Sequence, residues 1–215
     1  MTGQSMEPSK ATKKEVVTAF RTKEILSAAR RLMGLRGLEA LTMEEIAAAA
    51  GVAKGTIYLY FQGKEDLIQA LVAQTMENLV LGLEAIVTTA HSPREKLQQA
   101  IALLLGHLER ERIFFPIYIR DLLRVGRKRR FRELDEKFTS QLARLFAEGI
   151  DRGQFIQADP RLLSFLLRGL VRAVGYYQLA EGREDAMKEA LPVLSTLIFS
   201  GLLQNPHSSE EVPPA

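Results

Sequence analysis

Nearly the whole chain has the apolar spacing of helices, and this constrains the fold more than any other feature of the sequence. Apolar residues recur three and four positions apart, which is the period of an amphipathic helix. Alternating β-branched runs joined by turn pairs, which are typical of strands, are missing. The sequence therefore predicts an all-α protein of about nine helices.

Glycine, proline and capping residues predict where these helices begin and end. We expect helices over residues 16–35, 43–50, 54–62, 64–90, 93–112, 116–125, 131–152, 160–180 and 183–203. Pro192 lies inside the last of these, so this helix either kinks there or begins there. Residues 1–14, a basic arm, and residues 205–215 are polar, and we expect both to be disordered.

Composition disfavours several classes of function. The 215 residues include no Cys, which excludes disulfides, thiolate zinc sites and cysteine nucleophiles. The three histidines are scattered at positions 91, 107 and 207, so we expect no metal site, no catalytic site and no cofactor. The N-terminus is not a secretory signal, and no run reaches the roughly 18 apolar residues of a membrane span. A cytoplasmic protein that does not enter a membrane is expected.

Positive charge is concentrated in the first third of the chain. Residues 1–64 hold ten Lys and Arg against six Asp and Glu, whereas the remaining 151 residues hold 19 against 20. Random scatter would also explain this difference, so charge alone only hints at a polyanionic partner.

The segment from Thr42 to Phe61 predicts a helix-turn-helix. Thr42 followed by Glu45 is a capping box before a short apolar helix. Gly51 ends that helix, because glycine adopts the left-handed conformation of a tight turn, and Val52 fills the turn. A second helix follows from Lys54, and Ile57 is expected to point back toward the first.

The run TMEEIAAAAGVAKGTIYLYFQGKEDL closely resembles the DNA-binding motif of TetR-family transcriptional regulators. The match covers roughly residues 18–78, and GTIYLYF followed by KEDL is its most specific part. Two positions depart from the family pattern. Ala53 stands where serine is common, which removes an N-cap, and Met33 stands where an aromatic residue is common.

The resemblance implies that the second helix of the motif enters the major groove of DNA. Phe61 is then expected in the core. Lys54 would reach a phosphate or a guanine, and Gly55 would let the backbone approach DNA closely. The expected DNA contacts, with phosphate contacts at Thr42, Tyr60 and Lys64, are Thr42, Lys54, Gly55, Thr56, Tyr58, Tyr60 and Lys64.

The resemblance also implies two domains and a dimer. Residues 15–63 would form the DNA-binding domain, and residues 64–204 a helical domain that binds a ligand and dimerises. The segment 160–180 is apolar on more than one face and therefore needs burial on more than one side. Burial inside one subunit would satisfy that need. The resemblance implies instead a two-fold homodimer through the last two helices, about 160–203, which would also match a palindromic operator.

A small, largely apolar effector is the remaining expected partner. Residues that would line its pocket, although ordinary core positions are an alternative for each, are Met76, His107, Phe114, Phe115, Tyr118, Phe138 and Tyr177. The basic run at residues 127–132 is either a solvated loop, a site for an anionic effector or an extra DNA contact. Its charge motivates the hypothesis of an acidic or acyl-type ligand.

Three functions therefore stand at this point. A ligand-responsive regulator, usually a repressor, fits the motif best. A helical enzyme would need a nucleophile–base pair or a metal cluster, neither of which the spacing provides. An architectural DNA binder or an adaptor would show little sequence preference, and an architectural protein should carry more charge than the net +3 of this chain.

Overall fold

The predicted all-α class is confirmed. The protein is described here from a computed structural model that covers residues 12–37, 41–117, 129–183 and 185–202, and these residues include no β-strand. Their α-helices are Lys13–Arg36 (α1), Met43–Ala49 (α2), Lys54–Ile57 (α3), Lys64–Val87 (α4), Pro93–Arg110 (α5), Arg129–Asp151 (α6), Pro160–Glu181 (α7) and Ala186–Leu202 (α8). Residues Arg112–Phe114 form a 3-10 helix, and residues 115–117 are helical.

The chain divides into two compact units, residues 1–72 and 73–215. Helix α4 contributes to both. The first unit packs α1, α2, α3 and the start of α4 around side chains that are at most 1% exposed, namely Ile25, Ala28, Ala29, Met33, Ile46, Ile57, Leu67 and Leu71. Met33, which departs from the family pattern, is one of these buried residues.

Among the helices that the structure describes, three begin with a capping box. In α1, α2 and α5 the N-cap hydroxyl accepts a hydrogen bond from the backbone N–H three residues on, and the glutamate there reaches back. The pair Thr12 and Glu15 starts α1 at Lys13, three residues earlier than predicted. Lys13 and Lys14 are therefore helical, while residues 1–11 of the predicted arm and all of 205–215 lie outside the described residues.

The second unit is held together by packing of α6 against α7. Arg168 of α7 is buried, donates to the Thr139 hydroxyl at 2.6 Å, and forms an ion pair with Asp135. Its guanidinium also lies 5.5 Å from the centre of the Phe138 ring. Between α5 and α6, the buried Lys96 donates to Glu148 at 2.9 Å.

The last helix does not begin at Pro192. Helix α8 runs without interruption from Ala186 to Leu202, and Pro192 lies inside it. Gly182, with φ +63°, ends α7. Helix α8 begins at Ala186, three residues after the predicted start at Arg183. Arg183 instead bonds Asp185 and Glu189 at the beginning of α8.

Helix α4 is long and apolar enough, by length and composition, to cross a membrane. The sequence criterion of an uninterrupted apolar run excluded it, because charged residues interrupt the segment. Of the apolar 18-residue window, 44% is buried inside the protein. Core helices of soluble proteins pass the same test, so this finding is weak support for a span.

Candidate DNA-binding site

Gly51 sets the turn between α2 and α3, as the sequence predicts. Its φ is +68°, in the left-handed region where a Cβ atom is unfavourable. The N–H of Gly51 donates to the Ala48 carbonyl at 3.1 Å, and the N–H of Val52 donates to the Ala47 carbonyl at 3.0 Å. These two bonds form a Schellman motif. Any residue with a Cβ atom would be strained in this backbone conformation, on which the turn between the two helices depends.

The N-terminus of α2 is fixed by Thr42 and Glu45. Glu45 accepts from the Thr42 backbone N–H at 3.0 Å and from its hydroxyl at 3.0 Å. These two bonds hold the pKa of Glu45 below its ordinary value, and the bond from the Thr42 backbone N–H has the larger effect. The cap therefore stabilises the unit at neutral pH, and this contribution is lost as the pH falls through the folded-state pKa.

Helix α3 is held in place by two buried side chains on one of its sides, and it is shorter than predicted. Ile57 is fully buried, and Phe61 is 4% exposed. Regular α-helix ends at Ile57 rather than at residue 62, and residues 58–60 continue as turns. Ala53 provides no side-chain cap, as its departure from the family pattern suggested. The N–H of Tyr60 bonds the Ile57 carbonyl at 3.1 Å, which keeps these turns wound as a continuation of α3.

The opposite side of α3 faces solvent. The Lys54 side chain is 68% exposed and Tyr58 is 46% exposed. Gly55 is exposed, has no positive φ, and a Cβ built on it would meet nothing within 4 Å. The protein's own packing therefore does not require glycine here, whereas close approach of a partner would. Thr56, Tyr60 and Lys64 are half-buried, and Thr42 is exposed.

Lys54 is paired with an acidic residue of α2. Its Nζ lies 2.6 Å from Oε1 of Glu44. The hydrogen bond from Lys54 lowers the pKa of Glu44, and the same bond raises the pKa of Lys54. Both groups are therefore charged at neutral pH. The sequence analysis did not identify Glu44, because this pairing depends on the turn that brings the beginnings of α2 and α3 together.

The predicted pocket residues lie in different surroundings within the second unit. Met76, Phe114, Phe115 and Phe138 are at most 5% exposed, and His107 is half-buried. Tyr177 is 46% exposed on α7, and Tyr118 lies outside the described residues. The Phe115 ring packs edge-on against Tyr176, with ring centres 5.6 Å apart. Phe138 also contacts α7, through Arg168. That these residues line a ligand pocket stays a prediction.

The basic run at residues 127–132 is only partly described. Residues 127 and 128 lie outside the description, and residues 129–132 form the first turn of α6 rather than a loop. Arg130 forms an ion pair with Glu77 of α4. Two helical turns further along α6, Lys137 donates to Glu84 of α4 at 3.0 Å. Part of the run's charge is therefore used to join α4 and α6.

Two family descriptions match the chain, one over each part of it. Residues 25–71 match "Bacterial regulatory proteins, tetR family", and residues 90–186 match "Tetracyclin repressor-like, C-terminal domain". The first match includes the whole helix-turn-helix and its supporting core. The second covers α5, α6 and α7.

Individual relatives agree with these matches. The HTH-type transcriptional repressor KstR2 of Mycobacterium tuberculosis is 27% identical over 135 residues, which are 61% of this chain and 68% of KstR2. A TetR/AcrR-family regulator from Thermobifida fusca is 25% identical, with a TM-score of 0.72, over 85% of this chain and 98% of its own. FadR from Bacillus subtilis, solved with stearoyl-CoA, is 23% identical, with a TM-score of 0.69, over 83% and 98%.

Proposed function

This chain belongs to the TetR family of DNA-binding transcriptional regulators, and we propose that it is a repressor that leaves a palindromic operator when a small, largely apolar molecule binds. In this proposal residues 15–63 read DNA, and residues 64–204 bind the effector and dimerise. The protein would act in the cytoplasm. It would do so as a regulator rather than as an enzyme, since the family is one of transcriptional regulators.

The observation that carries this proposal is the two-sided character of α3. Ile57 and Phe61 are buried, which holds the helix rigidly, while Lys54, Gly55 and Tyr58 are presented to solvent. A rigid helix with a cation, an open backbone and a phenol on its outer side suits the major groove. Phosphate contacts from Thr42, Tyr60 and Lys64, with a further contact from Thr56, would fix the register of this helix on the duplex.

Dimerisation would follow from the apolar side chains that α7 and α8 expose. Tyrosines aside, those that are 39–59% exposed are Leu162, Phe165, Leu166, Leu170, Leu179, Leu191, Val193 and Leu197. Leu162, Leu166 and Leu170 are spaced by four and therefore form one stripe along α7. Contiguous apolar surface of this kind marks an interaction site. A second copy related by two-fold symmetry would cover it and would place two α3 helices on successive major grooves.

Replacing Leu166 with glutamate is expected to separate the dimer, because two-fold symmetry buries two new charges in one apolar interface. We expect at least a hundredfold weaker self-association by sedimentation velocity, and loss of binding to the palindrome. Leu81→Glu is the matched control, since Leu81 is 61% exposed on α4 of the same unit. A Leu166→Glu protein that remains as dimeric as the control, or a wild type that is monomeric, would count against the proposed interface.

The effector would enter the second unit, where Met76, Phe114, Phe115 and Phe138 supply apolar surface. His107, Tyr118 and Tyr177 would be its polar contacts. Binding must favour a conformation with poor DNA affinity, through a shift of α4, because only differential affinity for two states drives release. An acyl-type effector is favoured by the stearoyl-CoA complex of the Bacillus subtilis neighbour and by the basic run at residues 127–132.

Stearoyl-CoA is therefore the first probe of release. Its titration into the protein–DNA complex is expected to lower fluorescence anisotropy of labelled operator, with free coenzyme A as the control. Charge reversal of Arg127 and Arg129 should weaken the response to the thioester. Arg130 is a less suitable position, because a glutamate there would also repel its partner Glu77. An unchanged response in the reversed variants would remove the basic run from the effector site.

A further inference from the structure

The ion pair between Glu44 and Lys54 has no evident role in stability. Both side chains are about half-exposed or more, at 48% and 68%, and exposed pairs contribute little to folding. The cap of α2 does not need Glu44 either, because Thr42 and Glu45 complete it and Arg36 bonds the second oxygen of Glu45 at 3.1 Å. A carboxylate is thus held at the start of the helix that is proposed to enter the groove.

An acidic group in this position opposes binding to DNA of arbitrary sequence. If Lys54 contacts a phosphate, it must leave Glu44, and the free carboxylate then faces a polyanion. This arrangement costs affinity at every site except one that offers Glu44 a hydrogen-bond donor. In the major groove the exocyclic amine of cytosine is such a donor, and the O6 and N7 atoms of guanine are acceptors for lysine.

The spacing of the pair fits both bases of one G·C pair. Guanine O6 and cytosine N4 are joined by a Watson–Crick hydrogen bond of about 2.9 Å. The two side-chain atoms, Nζ of Lys54 and Oε1 of Glu44, are 2.6 Å apart. The separation of Nζ and Oε1 is thus within about 0.3 Å of the separation of guanine O6 and cytosine N4. The ion pair can therefore stay closed while Lys54 bonds guanine and Glu44 bonds cytosine.

We propose that Glu44 is a specificity-determining residue, and that Glu44 and Lys54 together read one G·C base pair in each operator half-site. Glu44 accepts from cytosine N4 while Lys54 donates to guanine. Glu44 also weakens binding to other sequences by repelling phosphate, so that discrimination comes partly from rejection of wrong sites. This inference rests on the proposed placement of α3 on DNA.

Selection of DNA fragments by wild type, Glu44→Ala and Glu24→Ala tests the proposal. Glu24 is the matched control, since it pairs with Arg21 on α1 at 2.7 Å and carries the same charge. We expect Glu44→Ala to lose about tenfold preference for G·C at one position of each half-site. Its affinity for random DNA should rise. The slope of log K against log salt should steepen by about one per subunit, because Lys54 is freed for a phosphate. Thermal unfolding checks that both variants are folded.

The possible outcomes separate this inference from the function on which it rests. If wild type and Glu24→Ala select one sequence and Glu44→Ala selects it with the same base preferences, Glu44 does not read DNA and the inference is overturned. If wild type selects no sequence at all, the proposed regulator function fails, and this inference fails with it. Loss of one G·C preference in Glu44→Ala alone supports it.

Discussion

Gly149→Ala is expected to destabilise the second unit by about 3 kcal/mol, although alanine is the better helix former. A Cβ atom at position 149 would lie 2.0 Å from Cδ2 and 2.2 Å from Cε2 of the Phe155 ring. That ring is fully buried and packs against Phe146, with centres 6.1 Å apart. It cannot move aside without opening the core. The backbone is fixed as well, because the N–H groups of Gln154 and Phe155 both bond the Gly149 carbonyl.

Gly55→Ala is the matched contrast, because the same added methyl meets open space there. Stability should be unchanged or slightly raised, since alanine in place of an interior helical glycine is worth about 0.5–1 kcal/mol. Operator affinity should fall about tenfold if the backbone at Gly55 lies against DNA. Urea unfolding and operator anisotropy on both variants measure the two effects. Equal stabilities for the two variants would refute the packing argument, and full affinity in Gly55→Ala would place DNA elsewhere.

The double variant Lys54→Ala/Tyr58→Ala is expected to bind the operator at least a hundredfold more weakly. Two side chains are lost from each half-site, and a good base contact is worth about 1–3 kcal/mol. The fold should not change, because both side chains are exposed and the anchoring residues Ile57 and Phe61 remain. Lys137→Ala is the control. It removes an exposed lysine that is also paired with a glutamate, at 3.0 Å. Comparable losses in both proteins would indicate a general effect of charge.

Local signals in the sequence were sufficient to predict the helix-turn-helix. The capping box at Thr42 and Glu45 and the left-handed Gly51 depend on residues within a few positions of one another, and both are present in the structure. The same kind of signal at Thr12 and Glu15 was overlooked, which misplaced the start of α1. The predicted helix over residues 54–62 is longer than α3, because Gly63 was the first clear break in the sequence whereas regular α-helix already ends at Ile57.

Features that depend on contacts between distant segments could not be predicted in this way. Arg168 is a charged residue in a largely apolar segment, yet it is buried against residues about thirty positions earlier. The pairing of Glu44 with Lys54 needs the angle set by the turn. Pocket residues are harder still, because an apolar side chain at helical spacing looks the same whether it faces a ligand or another helix. Pro192 was ambiguous for a related reason, since packing decides whether a helix continues through a proline.

The central claim is that the exposed side of α3 reads a DNA sequence. The most direct test is selection of genomic fragments by purified wild type and by Lys54→Ala/Tyr58→Ala, at about 0.15 M salt so that non-specific binding is suppressed. The account predicts that wild type enriches one palindrome and that the double variant does not. No enriched sequence, or the same palindrome enriched equally by both proteins, would contradict it.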